Sequence, residues 1–240
     1  MNKKNINKEI AQETLDVLKV GFYTSPNGQV QNIKDQIEYS IANSVLYDPE
    51  YKSQLPQCPN RAGIIQVTQE STFQACYRLI REENRDNVVC LNFAAARNPG
   101  GGFLSGAQAQ EEMLCRSSAL YSTLTVHQEM YNYNRKQSLL YSDYMIYSPR
   151  VPVFREDNGK FLNDPYQVSI ITSPAVNNCG VFELKNSKED VHRVMLERCR
   201  KIILRAIDHD EHVIVLGAFG CGVFRNKASD VAGVFQILTS

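Results

Sequence analysis

Gln110-Glu111-Glu112 places a carboxamide and two adjacent carboxyls after three consecutive glycines, Gly100-Gly101-Gly102, with seven residues between Gly102 and Gln110. A carboxyl pair suits general acid–base chemistry. The glycines give up side-chain packing and gain close backbone approach, offering a concave row of N–H donors of the kind that holds phosphate. Taken singly, each feature has a plain structural explanation. Glutamates in the first turn of a helix complement its dipole, and a triple glycine makes a surface turn. Their spacing joins them, because a loop of that length folds back and brings both carboxyls to the mouth of a phosphate site. Consecutive helical residues diverge by ~100°, so the two carboxyls are expected to differ in task. One holds a hydroxyl of the ligand and the other reaches a scissile oxygen.

A second glycine-rich segment, Gly217-Ala218-Phe219-Gly220-Cys221-Gly222-Val223-Phe224, follows an apolar run and precedes the last helix. It offers another nest of amides and places Phe224 near the rim of a cleft, with a place in the core weighing equally. Cys221 reads as a small packing residue rather than a reactive thiol. A diphosphate between two such loops, near helix N-termini, is held without formal positive charge. That suits a chain whose 26 Lys and Arg balance 26 Asp and Glu. Gripping a polyanion by bulk charge needs a concentrated basic surface, so sequence-specific nucleic-acid binding is not expected.

These loops need strands to carry them. Val88–Phe93 is a nearly continuous apolar run, typical of a strand covered on both faces, and the triple glycine follows it. Val213–Leu216, before the second loop, reads as a central strand. Periodicity predicts helices over 3–19, stopped by Gly21, and over 35–46, 72–83, 107–124 and 189–209, with a last one from about Lys227. Ser25-Pro26-Asn27-Gly28 signals the turn of a hairpin. Ile64–Val67, Tyr144–Phe154, Phe161-Leu162 and Val168–Thr172 read as further strands, and 48–61 as a loop. Helices between buried strands imply an α/β fold with helices on both faces of a mixed sheet. Residues 1–60 are expected to form a helical extension on a core spanning 61–240.

Seven cysteines, scattered and without a CxxC pair, argue against a disulfide framework or a zinc site. The polar N-terminus lacks the apolar core of a signal peptide, and no run reaches the length of a membrane span. A cytoplasmic or nuclear, non-secreted monomer is expected, with no metal and no cofactor. His209-Asp210-Glu211-His212 reads as a solvated turn, Arg116 as an exposed helical arginine, and the tyrosines from Tyr121 to Tyr147 as packing residues. His127 and His192 have no recognisable partner spacing.

In chain order, Asn92-Phe93-Ala94, Pro99–Gly106 with Gln110-Glu111-Glu112, Leu114–Ser118, Ser148–Arg155, Ile171–Ala175 and Leu216–Phe224 together resemble the bacterial-type poly(ADP-ribose) glycohydrolases over roughly residues 60 to 235. The resemblance implies a macrodomain-like three-layer α/β/α fold, with ADP-ribose lying between the two glycine loops. It implies Glu112 as the catalytic acid, Glu111 holding ribose hydroxyls beside the cleaved bond, and Gln110 supporting that geometry from the substrate-binding set. Gly100, Gly101 and Gly102, and Gly220, Cys221 and Gly222 with Val223, would line the diphosphate, and Phe224 would pack on the distal ribose. The substrate would be ADP-ribose polymer or ADP-ribosylated protein. Two departures stand out: Ala95 occupies the place of a ribose-contacting Asn in many relatives, and the chain ends at Ser240, where the family continues into another strand. Either the sequence is a truncated form or the sheet lacks an edge strand. A non-catalytic reader of ADP-ribose and a hydrolase of single ADP-ribose groups are the alternatives. A reader has no need of the Gln-Glu-Glu.

Overall fold

The computed structural model describes residues 2–53, 63–179 and 188–239. The chain opens with helix α1 (Lys3–Val20), capped at its start by the Asn2 side chain and closed by Gly21 in the left-handed region, as a C-terminal glycine does at low steric cost. Strands β1 (Phe22–Thr24) and β2 (Val30–Asn32) form the expected hairpin. Helix α2 (Lys34–Ala42) is shorter than the periodicity predicts, because Val45–Tyr47 leave it to become strand β3. There they pair antiparallel with Met145–Tyr147. β-Branched and aromatic residues beside an available strand edge outweigh a marginal helical pattern. β3 lies within the residues grouped by sequence as an extension, yet it is part of the central sheet.

Helix α3 (Thr72–Tyr77) begins with a Ser71–Gln74 capping box and runs into a π turn, Arg78–Glu82. Strand β4 (Val88–Phe93) follows, then a short 3₁₀ turn at Phe103–Ser105. The single helix expected over 107–124 is two, α4 (Gln110–Ser117) and α5 (Leu120–Thr125), with α6 (Gln128–Asn134) beyond them. The break has a local cause. Ser118 turns extended and bridges Val153, while its hydroxyl donates to the Leu114 carbonyl at 2.7 Å. Strands β5 (Met145–Arg155) and β6 (Phe161–Ser173) complete the long hairpin. The two short strands expected at 161–162 and 168–172 are parts of that one β6. Helix α7 (Lys188–Asp208), strand β7 (Val213–Val215) and helix α8 (Ala228–Thr239) end the described chain.

The main sheet runs β3-β5-β6-β4-β7, with β4 parallel to β6 and β7 and the β5 pairings antiparallel. It is the mixed sheet expected, although β7 lies at its edge rather than its centre. Ile64–Val67, read as a strand, is irregular, with Ile64 90% and Val67 95% exposed. Side chains alternate across a strand. Val88 and Cys90 therefore enter a core shared with α1 to α6, while Val89 and Leu91 enter a second core beneath α7 and α8. Three layers result. The consequence for function is that β4 and β7 are parallel neighbours, so both glycine loops emerge at the same end of the sheet.

Candidate active site

Ligands of open α/β sheets sit beyond the carboxyl ends of parallel strands, and every polar group of note at this end is arranged around β4. Gln110, the first residue of α4, acts as a clamp. Its Oε1 accepts the Phe93 N–H at 2.8 Å, and its Nε2 donates to the Leu91 carbonyl at 2.7 Å and to Thr72 Oγ1 at 3.1 Å. The carboxamide thereby extends the ladder of β4 and fixes where α4 begins. With its amide so engaged, Gln110 positions the site instead of meeting a ligand through its side chain.

Glu111 is 2% exposed. Its Oε1 accepts from Asn92 Nδ2 at 3.2 Å and its Oε2 from the Ala95 N–H at 2.7 Å. Burial pushes its carboxyl up to about 8, against the pull of the Ala95 and Asn92 donors and with the Glu112 charge adding to the rise. A carboxyl raised on folding binds a proton that the unfolded chain releases. Its stabilisation is complete at low pH and is lost as pH rises from about 4.5 through about 8. Glu111→Gln cannot titrate. The stability of wild type relative to this variant should therefore fall by on the order of 3 kcal/mol between pH 5 and pH 8.5. Urea unfolding at the two pH values measures this; parallel stability curves would refute the assignment.

Glu112 is 8% exposed and takes main-chain donors on both oxygens, Gly102 N–H on Oε1 at 2.8 Å and Ala109 N–H on Oε2 at 3.1 Å. The second bond closes the N-terminus of α4 in the manner of a capping glutamate. The glycine turn is wound tightly against both carboxyls. Gly101 has φ +56°, and a Cβ there would lie 2.5 Å from Glu112 Oε1 and 3.1 Å from Glu111 Oε2. Gly100, φ +68°, would meet the Tyr121 ring at 2.8 Å.

The amides of this first loop are spoken for. Gly101 donates to the Asn98 carbonyl at 3.0 Å, Gly102 donates to Glu112, and Gly100 donates toward Glu111. In this structure the Gly102 amide, expected to face a phosphate, meets the Glu112 carboxylate.

The second loop differs. The N–H groups of Gly220, Gly222, Val223 and Phe224 have no acceptor among the described residues. Cys221 is the exception, donating to the Ala218 carbonyl at 3.1 Å. Its thiol rests toward the Phe219 carbonyl, and burial pushes it up. Gly220, φ +71°, is pressed against Ala175 and Asn226, whereas a Cβ on Gly222 would meet nothing within 4 Å. Asn226 anchors the loop by donating from Nδ2 to the Val176 and Gly220 carbonyls at 2.8 and 3.0 Å. Four open amides beside an empty approach are what an anion needs. Phe224 is half-buried and packs against the core beneath α7 and α8, its ring 5.8 Å from that of Tyr141.

Several residues take roles here that the sequence did not assign them. Asn92 is fully buried between Glu111 and Thr172, donating to both at 3.2 Å. Its inward-pointing amide in an otherwise apolar strand was the available signal. Arg116, expected on the surface, is 7% exposed and donates to the Ala107 carbonyl at 2.7 Å, tying down the loop between the glycines and α4. The turn at 209–212 is not simply solvated. The His209 ring stacks on Tyr147 at 3.5 Å and pairs with the Tyr47 hydroxyl, while Glu211 accepts from the Tyr147 hydroxyl. No group of three potential metal ligands occurs among the described residues, and no helix among them is long and apolar enough to cross a membrane.

The chain matches the family model of the microbial-type PARG catalytic domain over residues 11–156. None of the curated proteins matches it. Among solved structures it is similar to poly(ADP-ribose) glycohydrolase (PARG) from Thermomonospora curvata, at 41% identity and a TM-score of 0.89 over 96% of this chain and 86% of that one. The same enzyme bound to the inhibitor ADP-HPD gives 42% identity and 0.87, with 96% and 85% covered. The glycohydrolase from Deinococcus radiodurans in complex with ADP-ribose gives 39% identity and 0.73, with 84% and 83% covered. By this match to the family model and to two bacterial enzymes, and by the fold it shares with them, the chain belongs to the microbial-type poly(ADP-ribose) glycohydrolases, a family of glycosidases.

Proposed function

We infer that this protein hydrolyses the O-glycosidic ribose–ribose bonds of poly(ADP-ribose) and releases ADP-ribose. One observation carries the chemistry: oxygens of two carboxyls, Glu112 Oε1 and Glu111 Oε2, are held together against the Gly101 turn, at the same end of the sheet as a loop with free amides. The diphosphate lies along Gly220, Gly222 and Val223, and Phe224 packs on the distal ribose. Glu112 is the acid. Each of its oxygens has a second lone pair beyond the one that meets an N–H, through which a proton can pass to the bridging oxygen.

Cleavage breaks the bond between the anomeric carbon and the bridging oxygen, which takes the Glu112 proton and leaves as a ribose hydroxyl. The remaining ribose becomes oxocarbenium-like, with the diphosphate nearby to offset its charge. Water adds to the anomeric carbon and gives its extra proton to Glu112, restoring the acid. Glu111 accepts from the ribose hydroxyls that adjoin the bond. Its burial and its Asn92 and Ala95 partners keep it in place.

The test is to incubate the protein with poly(ADP-ribose) and with a peptide carrying one O-linked ADP-ribose, and to measure free ADP-ribose. Release from polymer is the expected result. Release from the single-group substrate alone would make the protein a mono-ADP-ribosyl hydrolase, and tight ADP-ribose binding with no release from either would make it a reader.

A further inference from the structure

Three residues from three separate segments come together beside the second glycine loop. Phe224 comes from the loop after β7, Arg97 from the loop after β4, and Tyr141 from the connection between α6 and β5. The Tyr141 ring lies 5.8 Å from Phe224 at a 45° tilt, and the Arg97 guanidinium stands over the same Tyr141 ring, 5.7 Å from its centroid. Arg97 is exposed and has no carboxylate partner among the described residues.

Tyr141 is held where it is at a cost. Its φ is +56°, a left-handed conformation that is a genuine outlier for a bulky side chain. The surrounding structure enforces it. Arg198, 1% exposed, donates to the Tyr141 carbonyl at 3.3 Å and to the Pro174 carbonyl at 3.0 Å, and is itself oriented by Asp143 at 2.9 Å. A buried arginine thus spends its donors on joining the Tyr141 turn to the end of β6.

We propose that Tyr141 and Arg97 form a leaving-side subsite that engages the adjoining nucleotide unit of the polymer, making them determinants of preference for poly(ADP-ribose) over single ADP-ribose groups. This rests on the proposed function. On that reading Phe224 packs on the ribose whose bond is cleaved, and the proposal sets the neighbouring Tyr141 ring on the far side of that bond. In a polymer this is an adenosine ribose with a base and a diphosphate. An aromatic face and a free guanidinium match those two chemistries, the base by stacking and the phosphate by charge-assisted hydrogen bonds. A protein side chain carrying one ADP-ribose offers neither group on that side.

The experiment compares kcat/KM on poly(ADP-ribose) and on a peptide bearing one O-linked ADP-ribose, for wild type, Arg97→Gln, Tyr141→Leu and Tyr141→Phe. Arg97→Gln and Tyr141→Leu should each lower the polymer-to-peptide ratio about tenfold, through KM, and Tyr141→Phe should restore it. Arg97→Gln should also flatten the salt dependence of polymer cleavage. Equal losses on both substrates would show a structural role and overturn the proposal, as would an unchanged ratio. If wild type releases nothing from polymer, the functional reading fails instead, so the two failures are distinct.

Discussion

Glu112→Gln should lower kcat on poly(ADP-ribose) by a factor of about 10² to 10⁴, the range that a positioned general acid contributes, while changing the Kd for ADP-ribose by less than threefold. The separation follows from geometry. Glu112 is tied to the Gly102 and Ala109 amides, whereas the diphosphate is assigned to open amides of the other loop. The substituted amide retains an oxygen for one of the two N–H donors, but its NH₂ faces the other. A mismatch of this kind costs about 1–3 kcal/mol, small enough for the fold to survive and for binding to report on it. Stopped-time release of ADP-ribose and isothermal titration with ADP-ribose supply the two numbers. Turnover within tenfold of wild type would remove Glu112 from the role of acid.

Gly101→Ala is expected to be as damaging, although it adds one methyl group and removes nothing. The new Cβ would stand 2.5 Å from Glu112 Oε1 and 3.1 Å from Glu111 Oε2, on a residue with φ +56°. Backbone strain in the left-handed region costs on the order of 1–3 kcal/mol. The clash is worse for catalysis than for folding, because the atoms that must yield are the carboxyl oxygens themselves. A displacement of about 1 Å at a reacting group costs on the order of 10²-fold in rate, so kcat should fall by at least that factor with a modest drop in Tm. Gly222→Ala is the comparison for stability, since its Cβ meets nothing within 4 Å, and its Tm should stay at the wild-type value. A Gly101→Ala variant with full activity would show that the carboxyls do not depend on the turn beneath them.

The two substitutions probe different things that the chain encodes in different ways. Local chemistry was legible in the order of residues. The strand Val88–Phe93, the hairpin turn at Ser25–Gly28, the Gly21 stop and the long amphipathic α7 could each be read along the chain, because each is decided by neighbours a few positions away. The triple glycine with Gln110-Glu111-Glu112 was legible for the same reason, and so was the family. Where distant partners compete, sequence patterns misled. Val45–Tyr47 continue a helical period but are taken by the edge of β5. Ser118 interrupts a helix to bridge Val153, and an apolar Ile64–Val67 finds no strand to join.

Which amides of the two loops find partners within the chain was also decided only by tertiary structure. Both loops are glycine-rich, and sequence offered phosphate binding for each. In the folded protein the first uses its amides to hold Glu112 and Glu111, and the second leaves four of its amides open. Burial decides the rest. Asn92 and Arg116 lie within the family's motifs, but only enclosure beside Glu111 and the Ala107 carbonyl shows what each of them holds. A residue's type and position in the chain fix what it can donate, accept or protonate. Which partner it reaches, and how much water remains around it, is determined only when strands far apart in sequence come to lie side by side.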